Sequence, residues 1–216
     1  MKRWSLFLVS LVGQTAIALW GVALGAPDRE TAGLLVRWTI RAAVVPFLMA
    51  FCASAVGTLW PGRVAEWLLD NRKYLGLGLT YGIALNMAAI TWLVSFDPSV
   101  AWSGLSVLDR VESYGGLAVV AVMTVTSFDR CSRRMSLGAW RILHLFGMHA
   151  LWWIFFRTNA LYSLSAIQRG LLLDQWLYLL ITLLLIGVLL LRTAASVKQL
   201  GGEATMSLPR EPVVGR

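Results

Sequence analysis

Residues 171–191 read LLLDQWLYLLITLLLIGVLLL, with Leu179-Leu180-Ile181-Thr182-Leu183-Leu184-Leu185-Ile186 at their centre. A nearly uncharged run of about 20 residues, wound as a helix, spans the ~30 Å hydrocarbon layer of a bilayer. It is too long for a membrane-barrel strand, and in lipid the backbone must satisfy its own hydrogen bonds, so a helix is expected.

Five further apolar runs lie upstream, at residues 5–25, 38–59, 74–96, 113–128 and 137–156. Helix-breaking or charged punctuation separates them: Pro27-Asp28-Arg29-Glu30, Trp60-Pro61-Gly62, Asp97-Pro98 and the basic stretch from Asp129 to Arg134. Residues 63–73 read as a loop or surface helix and 99–112 as an external loop. The first run exceeds the roughly 7–15 apolar residues of a signal peptide and is expected to stay as a helix. The expected architecture is an all-α, polytopic membrane bundle of about six transmembrane helices. It occupies residues 1–192, and residues 193–216, with three glycines and two prolines, form a disordered cytoplasmic tail.

Composition agrees. Hydrophobic residues make up 58% of the 216, mean hydropathy is +0.69, and charged residues are 14%, against roughly 25% in a soluble domain. The net charge of +8 does not indicate a nucleic-acid partner, because the basic residues cluster between apolar runs. Thirteen lysines and arginines fall on the side carrying both termini, and six (Arg29, Arg37, Arg41, Arg110, Arg157, Arg169) on the other. By the positive-inside rule both termini face the cytoplasm, and the bundle sits in the inner membrane. Cys52 and Cys131 suggest no disulfide framework.

Soluble-enzyme signatures are missing. The Gly76-Leu77-Gly78 stretch lies in an apolar run and reads as a site of close helix approach. His144 and His149 are the two histidines, both in the fifth run. An intramembrane ionisable group is a functional candidate. Five residues apart, the two point about 140° away from each other on a helix, so they cannot grip one haem from opposite faces. Each alternatively serves an interhelical hydrogen bond. Arg37 and Arg41, one turn apart, suit haem propionates or another anion, or else reach to the interface. The aromatics from Trp152 to Phe156 read as an interfacial belt, with Arg157 an anchor beside it.

Several segments resemble the ferric-reductase-like transmembrane domain, a group that includes the haem-binding membrane subunit of the bacterial methionine-sulfoxide reductase system. They are Leu59-Trp60-Pro61-Gly62, Asn71-Arg72-Lys73-Tyr74-Leu75-Gly76-Leu77, Thr126-Ser127-Phe128 with the basic loop after it, and Leu137-Gly138-Ala139-Trp140-Arg141-Ile142-Leu143-His144 continuing to Trp153-Ile154-Phe155-Phe156. Their order and spacing match over residues 34–157. The resemblance implies six helices, haem b, and electron transfer from a quinol or flavoprotein donor, since the chain has no flavin or nicotinamide domain of its own. It implies His144 as an axial ligand. Where relatives place a third-helix histidine, this chain has Ile83 and Asn86, and Arg157 stands where some have a further one. Met87, beside Asn86, is the alternative second ligand. Two readings follow: a b-haem electron-carrying subunit of an oxidoreductase, or a haem-free scaffold acting as a non-catalytic subunit, an assembly factor or a small-molecule binder.

Overall fold

The apolar runs form helices, and the punctuation falls at their ends. In a computed structural model of the chain, describing residues 3–101, 106–169 and 172–206, the helices are α1 (Arg3–Leu24), α2 (Arg29–Leu59), α3 (Arg63–Phe96), α4 (Val107–Thr126), the single-turn α5 (Asp129–Ser132), α6 (Leu137–Arg169) and α7 (Leu172–Met206). Lys2, Leu171 and residues 207–216, with Arg210 and Arg216, lie outside the described residues. No strand occurs among those described. The chain is an all-α membrane protein.

Caps fix the helix starts. The Asp28 carboxylate accepts from the Thr31 amide at 2.8 Å, opening α2, an arrangement worth about 1 kcal/mol. Ser106 and Asp109 cap each other reciprocally at the start of α4. This capping box turns part of the expected 99–112 loop into helix. The polar stretch at 63–73 is the first part of α3. The tail boundary also shifts, because α7 continues through residues 193–206. Leucine, alanine and lysine there favour helix, and two glycines in sequence do not stop it.

Among the described residues six helices are long, and four of them (α1, α2, α3 and α7) are apolar enough over sufficient length to cross a membrane. α4 carries Asp109, Arg110 and Glu112 in its first turns, and α6 carries Arg141 and Arg157.

Side-chain bridges give the order of the bundle. Arg29 pairs with Asp97 at 3.1 Å, setting α2 antiparallel to α3. Gln14 Nε2 donates to the Gly78 carbonyl at 3.0 Å, and the Thr15 and Tyr81 hydroxyls meet at 2.6 Å, so α1 runs parallel to α3. Trp152 Nε1 donates to the Leu185 carbonyl at 2.8 Å, joining α6 to α7. Arg192 donates to the Phe51 carbonyl and Lys198 to that of Thr58, which sets α7 parallel to α2.

Small residues bring α2 and α3 together. A Cβ added at Gly82 would run into the Gln14 amide oxygen and lie 2.6 Å from Ala43 Cβ. One added at Gly78 would be 2.6 Å from Ser10 Oγ, whereas one at Gly76 would meet nothing within 4 Å. The close approach expected from the glycine stretch thus lies at Gly78 and Gly82. Phe47 and Phe51, both fully buried, fill the centre with Phe155, whose ring is 5.0 Å from that of Phe47. In lipid such packing, rather than exclusion from water, holds helices together.

Candidate functional site

Among the described residues, a cavity lies toward each end of the bundle. The first, about 500 Å³, sits toward the basic end, where α3 and α6 begin and α4 finishes. His144 lines it. α6 carries Trp140 and His144 one turn apart, so both project to the same side, and their rings stack with centroids 4.2 Å apart. Trp140 Nε1 donates to the Thr126 carbonyl at 3.2 Å, anchoring the pair to the end of α4. His144 Nε2 is 3.3 Å from Thr126 Oγ1. That hydroxyl lies 2.8 Å from the Val122 carbonyl, which can only accept. The hydroxyl hydrogen therefore goes to Val122, and the imidazole is the donor to Thr126.

The charge around this cavity is one-sided. Arg72, Lys73, Arg141 and Arg192 line it against a single carboxylate, Asp70. Its walls are otherwise largely apolar, with Leu77, Val120, Met123, Met148 and Leu151 among them. The Thr80 and Thr124 hydroxyls meet at 2.8 Å between α3 and α4.

His149 does not share this cavity. Its Nδ1 donates to the Leu145 carbonyl one turn back at 2.7 Å, and its ring meets Phe51 edge-on at 5.4 Å. That is the angular divergence expected of the two histidines.

The second cavity, about 530 Å³, lies toward the opposite end, and Arg37, Arg41, Ile83, Asn86 and Met87 all line it. The residues nominated from sequence thus divide between the two: His144 in one, and the arginines and third-helix positions in the other. Met87 and His144 are not brought together as a ligand pair. Asn86 is occupied with packing, donating to the Val36 carbonyl at 2.7 Å and to Thr39 Oγ1 at 3.1 Å. Arg41 is only 8% exposed, its guanidinium 4.4 Å from the Tyr178 ring centroid and 5.2 Å from that of Trp38. It does not reach out to the interface.

A b-type haem needs an iron ligand, apolar walls and cations for its two carboxylates, and the basic-end cavity can be compared with that set residue by residue. It offers one imidazole, apolar walls for a macrocycle, and four cations suited to two carboxylates. No second histidine lines it. The residues present suit a haem held by one protein ligand. Among the described residues, no three His, Cys, Asp or Glu side chains converge as a site for a metal ion.

Sequence reasoning missed Trp140, Thr126 and the four cations as neighbours of His144. The four-residue spacing of Trp140 and His144 was the available signal. No family model, curated protein or solved structure matches the chain.

Proposed function

We propose that this protein is an electron-carrying membrane subunit that holds one haem b at its basic end, with His144 as the axial ligand. The observation that carries the reading is the placement of His144: of the two histidines, it alone faces a cavity ringed by cations. Bound there, the haem supplies a one-electron couple. The residues of the chain hold and tune it. His144 offers its Nε2 lone pair by giving up the long Thr126 contact, and its ring proton passes to Nδ1. Trp140 keeps the imidazole plane fixed through their stacking. Arg72, Lys73, Arg141 and Arg192 supply positive charge for the carboxylates. The apolar walls limit water.

In this reading α4 and α6 also cross the bilayer, giving six spans. The excess of basic residues at the His144 end supports an inner-membrane orientation with both termini in the cytoplasm. A quinol or a flavoprotein delivers the electron, and a partner subunit or soluble acceptor receives it. The resemblance to ferric-reductase-like domains supports the same assignment.

A second reading is favoured by Asn86. Its side chain is committed to α2, and it lines the cavity that His144 does not. The chain would then be a haem-free scaffold whose basic-end cavity takes another anionic molecule. A visible absorption spectrum of detergent-purified protein, oxidised and dithionite-reduced, separates the two. A Soret band that shifts on reduction is expected. A flat spectrum from folded, haem-supplied material overturns the first reading in favour of the second.

A further inference from the structure

The cavity at the Arg37 end has both charged and apolar lining. α2 has 31 residues, about 46 Å of helix, which exceeds the ~30 Å hydrocarbon layer. Its first turns therefore stand in the headgroup region. Arg37 lies about 12 Å along from Arg29, near where headgroups give way to acyl chains. Its Nε is buried and has no hydrogen-bond partner among the described residues. A buried N–H without an acceptor is costly, so an acceptor brought by a ligand would be stabilising. Arg41 follows one turn deeper, held against Tyr178 and Trp38, and adds a second positive charge to the wall.

The carboxylate on that wall, Glu112, is already engaged. Arg157 donates to it at 2.6 Å and Trp153 at 3.0 Å. Around and between the arginines the lining is apolar, through Val36, Ile40, Val44, Ile83 and Ile90. Met87 on α3 and Leu117 on α4 belong to the same lining and are 37% and 43% exposed, so the cavity wall is open where these two helices face each other. The cavity therefore meets the bilayer sideways.

We propose that this cavity binds an anionic amphiphile drawn from the membrane: an acyl chain whose carboxylate or phosphate head is taken by Arg37 and Arg41 while the chain lies along the isoleucines. The charge selects the head, since a guanidinium forms paired hydrogen bonds with either oxyanion. The lateral opening admits a chain without passing its head through hydrocarbon. The assignment does not rest on haem binding at the other end.

The test is a fluorescence titration of the full-length protein, in neutral detergent at pH 7.5, with 11-(dansylamino)undecanoate. Saturable binding is expected, displaced by oleate or by phosphatidylglycerol but at least 10-fold less well by oleyl alcohol. Displacement by oleate alone identifies a fatty acid as the source, and by phosphatidylglycerol alone a phospholipid. Arg37→Gln should weaken binding about 10-fold, and Ile90→Trp, which fills the apolar lining near the level of Arg37, should abolish it. Ser54→Ala and Thr124→Ala, both at the other cavity, should leave it unchanged. Each variant is accepted only with a wild-type elution profile and helical circular dichroism. Equal displacement by oleyl alcohol, or wild-type affinity in both Arg37→Gln and Ile90→Trp, overturns the proposal.

Discussion

Arg157 on α6 and Asp109 on α4, 48 positions apart in the chain, meet at 2.8 Å, and the same Arg157 nitrogen also reaches Glu112 at 2.6 Å. One guanidinium thus clamps two turns of a neighbouring helix. The Ser106 hydroxyl, and then Arg157, hold the Asp109 carboxyl down at about 2, against 3.8 unperturbed. Asp109 in turn pushes Arg157 above its ordinary value. A carboxylate depressed in the folded state stabilises the fold above its unfolded value and loses that contribution as pH falls through the folded one. The α4–α6 contact should therefore be intact above about pH 4 and weaken toward pH 2. Hydrogen exchange in the first turn of α4 measures this. Asp109→Asn should remove the part of the pH dependence that Asp109 contributes, and an unchanged profile in that variant would refute the assignment.

Removing Arg157 is expected to cost more than removing Asp109. Arg157→Ala leaves Glu112 without its cation and Asp109 without its partner, whereas Asp109→Asn leaves the Arg157–Glu112 pair in place. Thermal unfolding in detergent should fall further for Arg157→Ala than for Asp109→Asn. The reverse order would show that Glu112 finds another partner.

The glycines of α3 should separate sharply. Gly82→Val pushes into Gln14 and Ala43 and is expected to destabilise by about 1–3 kcal/mol. Gly76→Ala meets open space and should be neutral, or stabilising by up to about 1 kcal/mol through helix propensity. Comparable losses in both variants would contradict the packing described for α2 against α3.

For the two histidines the expected outcomes differ. Under the proposed haem reading, His144→Ala should lose the haem and His149→Ala should keep it, because of the two histidines only His144 lines the basic-end cavity. Haem content per protein, read by pyridine haemochrome, decides. Equal content in His144→Ala and the parent would eliminate His144 as ligand.

Asn86→His offers a sharper check on the division between cavities. It restores a histidine where the resembling family has one, but on the wall that His144 does not share. The haem spectrum should stay as in the parent, and stability should fall by about 1 kcal/mol as the bonds to Val36 and Thr39 are lost. A shift to a six-coordinate spectrum would mean the helices can re-register to bring the two histidines together.

Much of the fold was legible because lipid imposes a simple rule: long apolar runs become helices, and Pro27, Pro61 and Pro98 mark where they stop. Helix ends were less legible. Ser106-Val107-Leu108-Asp109 is a capping box written with aspartate in place of glutamate, and α7 has no stop signal strong enough to end it at residue 192. Least legible was which helix faces meet. The sequence placed His144, Met87, Arg37 and Arg41 in one candidate group, yet the rotation and register of α3 are set by its contacts with α2, the Gly82–Ala43 approach and the Asn86–Val36 bond. No local pattern encodes those contacts, and Arg157 found its partners 45 and 48 positions upstream for the same reason.

Leu151 borders both cavities and is itself 3% exposed. The bundle is hollow from either end, and this side chain belongs to the partition between the two hollows. In a bilayer such a partition would separate the water reaching one hollow from the water reaching the other. Trimming Leu151 to alanine would thin it. A passive proton conductance in reconstituted vesicles would be the sign that a seal had become a pore.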